Sequence, residues 1–299
     1  MRRSRFICLV SIILFGTAPL SAQDTSPEDE IVVIGKGEAE AVRDLAENIT
    51  RKSRIDKPIS RFQSPVCVKV NGMPMDMAAM VEERIRQNVE RVGAKVGKPD
   101  CAINALVAFV NDAPDLLTHL RAEEPWLFND MLEHEFALLA DEKDGVRAWH
   151  TQMLRDKDGR EIPIQKIKLP RYGRDVFMRN LRSYDSSRRL IPISMELTGA
   201  VVLFDLARIE SKTFRQLADY ATLRILALSG SENVSAESQS IPSITTLFDD
   251  PGSTPSALST FDEAYLTALY GAPYYAMSGS LQNATLRRYR SAKGQDLDR

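Results

Sequence analysis

The chain has 299 residues, with 39 basic and 41 acidic side chains, three histidines and three cysteines. A formal charge of −2 without a basic cluster argues against a nucleic-acid role, which requires Lys and Arg concentrated on one face. The length accommodates one large domain or two small ones.

Residues 1–23, MRRSRFICLVSIILFGTAPLSAQ, read as a secretory signal peptide. Arg2, Arg3 and Arg5 form a positive n-region, and 6–15 an apolar h-region too short to span a bilayer as a mature helix. Leu20-Ser21-Ala22 places a small residue for cleavage after Ala22, and a retained anchor is the alternative. Loss of 1–22 removes three arginines and no acid, moving the formal charge from −2 to about −5. No second long apolar run follows, so the mature chain is expected to lack a transmembrane segment and to be periplasmic or secreted. In that compartment Cys67 and Cys101 are expected to form a disulfide, worth roughly 3–4.7 kcal/mol in the chain-entropy model. Two free thiols or half a zinc site are the alternatives, but no adjacent histidine completes a site.

Residues 23–30, QDTSPEDE, are polar and expected to be disordered. A short strand at 31–34 and a helix at about 38–52 follow, with Val42, Leu45, Ala46 and Ile49 on one face. Residues 64–70 alternate as a strand that ends at Asn71-Gly72. From Asp76, a candidate cap, to about Lys95, Met77, Val81, Ile85, Val89 and Val92 recur at helical spacing, with Gly97 beyond. Residues 102–110 read as a buried strand. This strand, helix, strand order predicts a crossover unit with parallel strands.

Asn111-Asp112-Ala113-Pro114 opens a helix at 113–124, Trp126, Leu127 and Phe128 form an apolar plug, and a second helix is expected at 129–140. Two alternating arms around Asp156-Lys157-Asp158-Gly159 predict a β-hairpin. Residues 168–190 read as a surface loop, and 199–204 as a buried strand stopped by Asp205. A long helix at about 211–228 has Phe214, Leu217, Ala221, Ile225 and Leu228 on its core face. Residues 229–240 read as a flexible loop and 276–299 as a flexible tail. The domain reading is a signal peptide at 1–22, an N-terminal segment at 23–54, and one globular α/β (α+β) domain at 55–275.

Near the end stand residues 258–271, LSTFDEAYLTALYG. Together with the long helix and the Leu247-Phe248 pair, they resemble the last parts of a matrixin-type (metzincin) zinc peptidase domain, in that family's order. Residues 65–70 (PVCVKV), 101–104 (CAIN), 216–221 (QLADYA) and 247–248 (LF) also resemble an uncharacterised group of exported bacterial proteins. The resemblance implies a metzincin-like mixed sheet with a strand-helix-strand front half, a hairpin, a long central helix and a C-terminal helix. It also implies an active-site helix with two histidines four apart and a glutamate beside the first. In that register Gln216 and Tyr220 stand at the histidine positions, Leu217 at the glutamate and Leu226 near the third ligand. Amide, phenol and leucine are not the donors a catalytic zinc takes.

His119, His134 and His150 lie about fifteen residues apart, which reads as surface or satisfied histidines rather than a metal set. No nucleophile elbow, P-loop or dinucleotide loop is present. Asp205 and Asp219 read as a capping and a solvent-facing aspartate, with a carboxylate pair as the alternative. Asp262 is expected in the first turn of the last helix, where the dipole favours negative charge. Tyr220, Tyr265 and Tyr270 read as packing residues. These readings lead to a non-catalytic protein, without cofactor or metal, that binds a protein or peptide partner in the envelope. A hydrolase working through Asp205, Asp219 and Tyr220 is the alternative, and a purely structural protein a third.

Overall fold

In the computed structural model, residues 36–50, 58–129, 131–142, 145–169, 174–179, 193–228, 240–249 and 254–294 are described. The expected signal peptide, the 23–30 stretch, the strand at 31–34 and nearly all of the 229–240 loop lie outside them. Within them the chain is mixed α/β. Helix α1 (Lys36–Ile49) buries Val42, Leu45, Ala46 and Ile49, the face its spacing predicts.

A two-residue strand β1 (Ser60–Arg61) precedes β2 (Val68–Asn71), helix α2 (Met75–Arg91) and strand β3 (Ala105–Val110). β2 and β3 pair in parallel, Val68 opposite Ala105, so the expected crossover is present. Cys67 and Cys101 flank it and are bonded, with Cα atoms 6.0 Å apart. Gly97 lies against this bridge, where an added Cβ would stand 2.4 Å from the Cys101 sulfur. α2 differs from expectation at its start. Pro74 rather than Asp76 is the N-cap, and Ala78 rather than Met77 faces the core.

Asp112 accepts from Asp115 N and caps α3 (Ala113–Glu123), after which Pro125–Phe128 makes a 3-10 turn and α4 covers Glu133–Asp141. The hairpin expectation needs correction. β4 (Val146–Asp156) pairs antiparallel with β7 (Ile193–Asp205) along its length, and only the Arg155–Glu161 bridge follows the Gly159 turn. The second arm instead forms β5 (Ile164–Leu169), paired with β6 (Arg174–Arg179) inside the stretch read as loop. Alternation marks a strand but does not choose its partner. β7 is the longest, and its 13 residues span β4 on one edge and both β1 and β3 on the other.

The sheet is covered on both faces. Val107, Phe109, Val202 and Phe204 belong to the main core with α1, α2, α5 (Phe214–Leu226), α6 (Thr260–Gly271) and α7 (Ser278–Ala292). Ala108 and Leu203, one residue out of phase, join Leu117, Phe128, Leu139 and Trp149 under α3 and α4. This is the period-two logic of a strand buried on both sides. Phe214, expected in the core, stands exposed at the first position of α5.

The expected tail is a further correction. Residues 278–292 form α7, which buries Leu281, Thr285, Leu286 and Tyr289. It is tied to α1 through Arg43–Asn283 and the Glu38 contacts with Tyr289 and Lys293. Its narrow apolar stripe includes a threonine and lies among basic residues, which hides the helical period.

Candidate functional site

α5 starts where Thr213 accepts from Gln216 N and the Gln216 Oε1 accepts from Thr213 N, a reciprocal capping box. Gln216 Nε2 donates to Pro255 O at 3.2 Å, so both ends of this amide are engaged. From Leu217 to Leu226 every residue is buried. Polar groups in such a helix must find partners inside the protein, and they do.

Asp219, fully buried, corrects the solvent-facing reading. Arg84 of α2 grips it with two of its three guanidinium nitrogens, Nε at 2.7 Å and Nη2 at 2.8 Å. Asn88 Nδ2 donates to the same carboxylate at 2.6 Å and Leu258 N at 2.9 Å. Its hydrogen bonds with Asp219 hold the Arg84 guanidinium above its ordinary value. Asn88 also donates to Thr222 Oγ1, whose hydroxyl donates back to Ala218 O.

One residue on, Tyr220 turns to the other side of the helix. Its ring meets Phe248 edge-on at 5.1 Å and Phe204 at 6.1 Å, and its hydroxyl accepts from Arg224 Nη1 at 3.4 Å. Leu217 and Leu226 are buried in the same core. Asp205 ends β7 and accepts from Ala207 N, the capping role read from the sequence. Thus Gln216, Leu217, Asp219 and Tyr220 share a helix but face different neighbours. Among the described residues no hydrogen bond joins Asp205, Asp219 and Tyr220.

The stretch 258–271 now has a definite task. Leu258 N is bound by Asp219, and the next amide, Ser259 N, by Asp262 at 2.8 Å. Asp262, in the first turn of α6 as expected, also receives Ser243 Oγ at 2.6 Å and Ile244 N at 2.9 Å. It thereby fastens the 3-10 turn Ile244–Leu247 to α6. Its donors are all neutral, and burial pushes its carboxyl above the ordinary aspartate value. Tyr265, packed and bonded to Thr50, has its hydroxyl raised by burial to about 12. The phenol of Tyr270 donates to Leu226 O and is likewise raised by burial.

At the far end of α6, Arg61 donates to Leu269 O and Ala272 O, satisfying carbonyls the helix end leaves open. Beside them a groove of about 430 Å³ runs between α6 and α7, with Ala268, Gly271, Ala272 and Ala284 among its lining residues. Arg287 and Arg288, both exposed, also line it, and neither pairs with a carboxylate among the described residues. The sequence reading missed this groove, because it took α7 as tail. It also missed Arg84 and Asn88, although Asn88 interrupts the apolar stripe Val81, Ile85, Val89 and so signals a buried polar partner.

His119 and His134 are exposed, and His150 meets Ile225 O through Nε2. Among the described residues no three His, Cys, Asp or Glu gather as a metal set. The positions that the peptidase resemblance assigns to zinc do not fit the ion. One is an amide used in a cap, one a buried phenol and two are leucines. No described helix is long and apolar enough to cross a membrane. Comparison with protein-family models, with curated protein sequences and with solved structures returned no match.

Proposed function

We propose that this chain is an exported, non-catalytic binding domain on a metzincin-like frame without its zinc site, engaging a protein or peptide partner in the envelope. The observation that carries the non-catalytic part is the commitment of Gln216, Leu217 and Tyr220 to capping and packing. Two contacts support the frame. Phe248, beside the turn that follows α5, packs on Tyr220, and Asp262 of the last helix holds that turn. Helix, turn and last helix are therefore in mutual contact, in the order the resemblance implies.

The groove between α6 and α7 supports the binding part. Its small side chains admit an extended backbone, and the two guanidiniums, without a carboxylate among the described residues, suit carboxylates, which arginine binds bidentately. The occupant we assign is an acidic peptide segment of a partner. A hydrolase through Asp205, Asp219 and Tyr220 has weaker support, because both oxygens of Asp219 are already held by Arg84, Asn88 and Leu258.

Fluorescence anisotropy with short labelled acidic peptides tests the reading. Binding should weaken steeply with salt and disappear in the double variant R287A/R288A. Equal binding of acidic and basic peptides, or binding untouched by the double variant, overturns it.

A further inference from the structure

The start of α2 carries chemistry that the proposed groove does not use. Residues 73–80, MPMDMAAM, hold four of the chain's ten methionines. Met75 is 87% exposed, Met80 65% and Met77 36%, while Met73 is half-buried. Ala78, Val81 and Ile85 already supply this helix's buried face. Met73 packs against the main core, but Met75 and Met80 stand largely in water and Met77 about a third exposed, and a repeat this dense calls for a reason in the sulfur.

We propose that this turn binds a soft monovalent cation, Cu(I) or its redox-silent analogue Ag(I), through methionine thioethers. Thioether sulfur prefers such ions to the harder divalent metals. Met77 and Met80 are three apart and share a helix face, with Cβ atoms about 5–6 Å from one another. Side chains on a helix lean toward its N-terminus. Both sulfurs therefore lean the same way over one patch of the helix surface, while Met75, two positions from Met77, leaves the helix on another side and Met73 packs against the main core. Asp76, in the same turn, offsets the positive end of the helix dipole, which alone would oppose a cation.

The surroundings select the ion. The two thiols of this region, Cys67 and Cys101, are consumed in their disulfide. Among the described residues no cluster of His, Cys, Asp or Glu offers Zn(II) or Cu(II) an alternative set. A thioether carries no proton, so binding displaces none and the affinity stays flat across neutral pH.

The test is a titration of the full chain, labelled with ¹³C at its methionine methyls, with Ag(I). One equivalent should shift the methyls of Met77 and Met80 most and leave Met131, Met153, Met195 and Met277 in place. The variant M77L/M80L should lose this saturable response with an unchanged melting temperature, since both positions are solvent-facing. Zn(II) should give no shift, and the Ag(I) response should be the same at pH 6 and pH 8. Scattered shifts at methionines outside residues 73–80, a response that survives M77L/M80L, or no response at one equivalent would each overturn the site. In the last case the exposed thioethers are better read as an adaptable protein contact.

Discussion

Helix α5 and the groove between α6 and α7 dispose of their polar side chains in opposite ways. Inside α5, Asp219 has four donors on two oxygens and Thr222 bonds on both sides. Arg224 reaches Tyr220 and lies 3.8 Å from Glu142. Along the groove, two exposed guanidiniums have no carboxylate partner among the described residues. A polar group fully satisfied within the fold has little left to offer a substrate. One kept unsatisfied at the surface is available to a partner. The contrast places structure in α5, where the peptidase resemblance directs attention, and leaves the proposed binding to the groove between α6 and α7.

The sharpest way to break this contrast is Asp219→Ala. It strands Arg84 and Asn88 and should cost about 3–5 kcal/mol, the range for removing one member of a buried pair. The double variant R84M/D219L should lose less than D219A alone, because it leaves no unpaired charge behind. Chemical denaturation of the three proteins measures both. A D219A protein of unchanged stability would show that the carboxylate is not held as described.

A second prediction concerns pH. Asp262 is raised in the folded state, so between the ordinary aspartate value and its folded value the native state holds more protons than the unfolded one. Stability therefore falls as pH rises through that window, and its proton-linked contribution is complete only below the unfolded value. In D262N that slope should vanish. The difference between the two denaturation curves from pH 3 upward checks it, and identical slopes would refute the assignment.

Smaller effects follow. Gln216→Ala removes the return bond of the capping box and should cost about 1 kcal/mol without changing peptide binding. R287A/R288A should change stability by no more than about 0.5 kcal/mol, as surface substitutions do, while abolishing peptide binding. The pair of results separates the two regions, one altering stability alone and the other binding alone.

How much of this was legible beforehand depends on the kind of information each element carries. The crossover of β2, α2 and β3 was readable because it combines alternation, helical period and turn residues, and the disulfide was expected from the compartment that the N-terminal residues suggest. Asp205 was legible as a cap because it ends an apolar run. Asp219 was not, since a single aspartate in a helix looks alike whether it meets water or Arg84, 135 residues earlier. The partner of β4 is β7, far along the chain, and local alternation cannot choose between it and the nearer arm. Among positions read as core, Met77 and Phe214 failed because each lies in the first turn of its helix, where the protein has not yet closed around it.

The most direct test of the central claim is the zinc stoichiometry of the purified protein, measured by native mass spectrometry after exposure to an equivalent of Zn(II) and buffer exchange. With Gln216 in a cap and Tyr220 in an aromatic cluster, the account predicts the mass of the metal-free chain. One zinc ion retained per chain, and lost in a Q216A/Y220F variant, would contradict it.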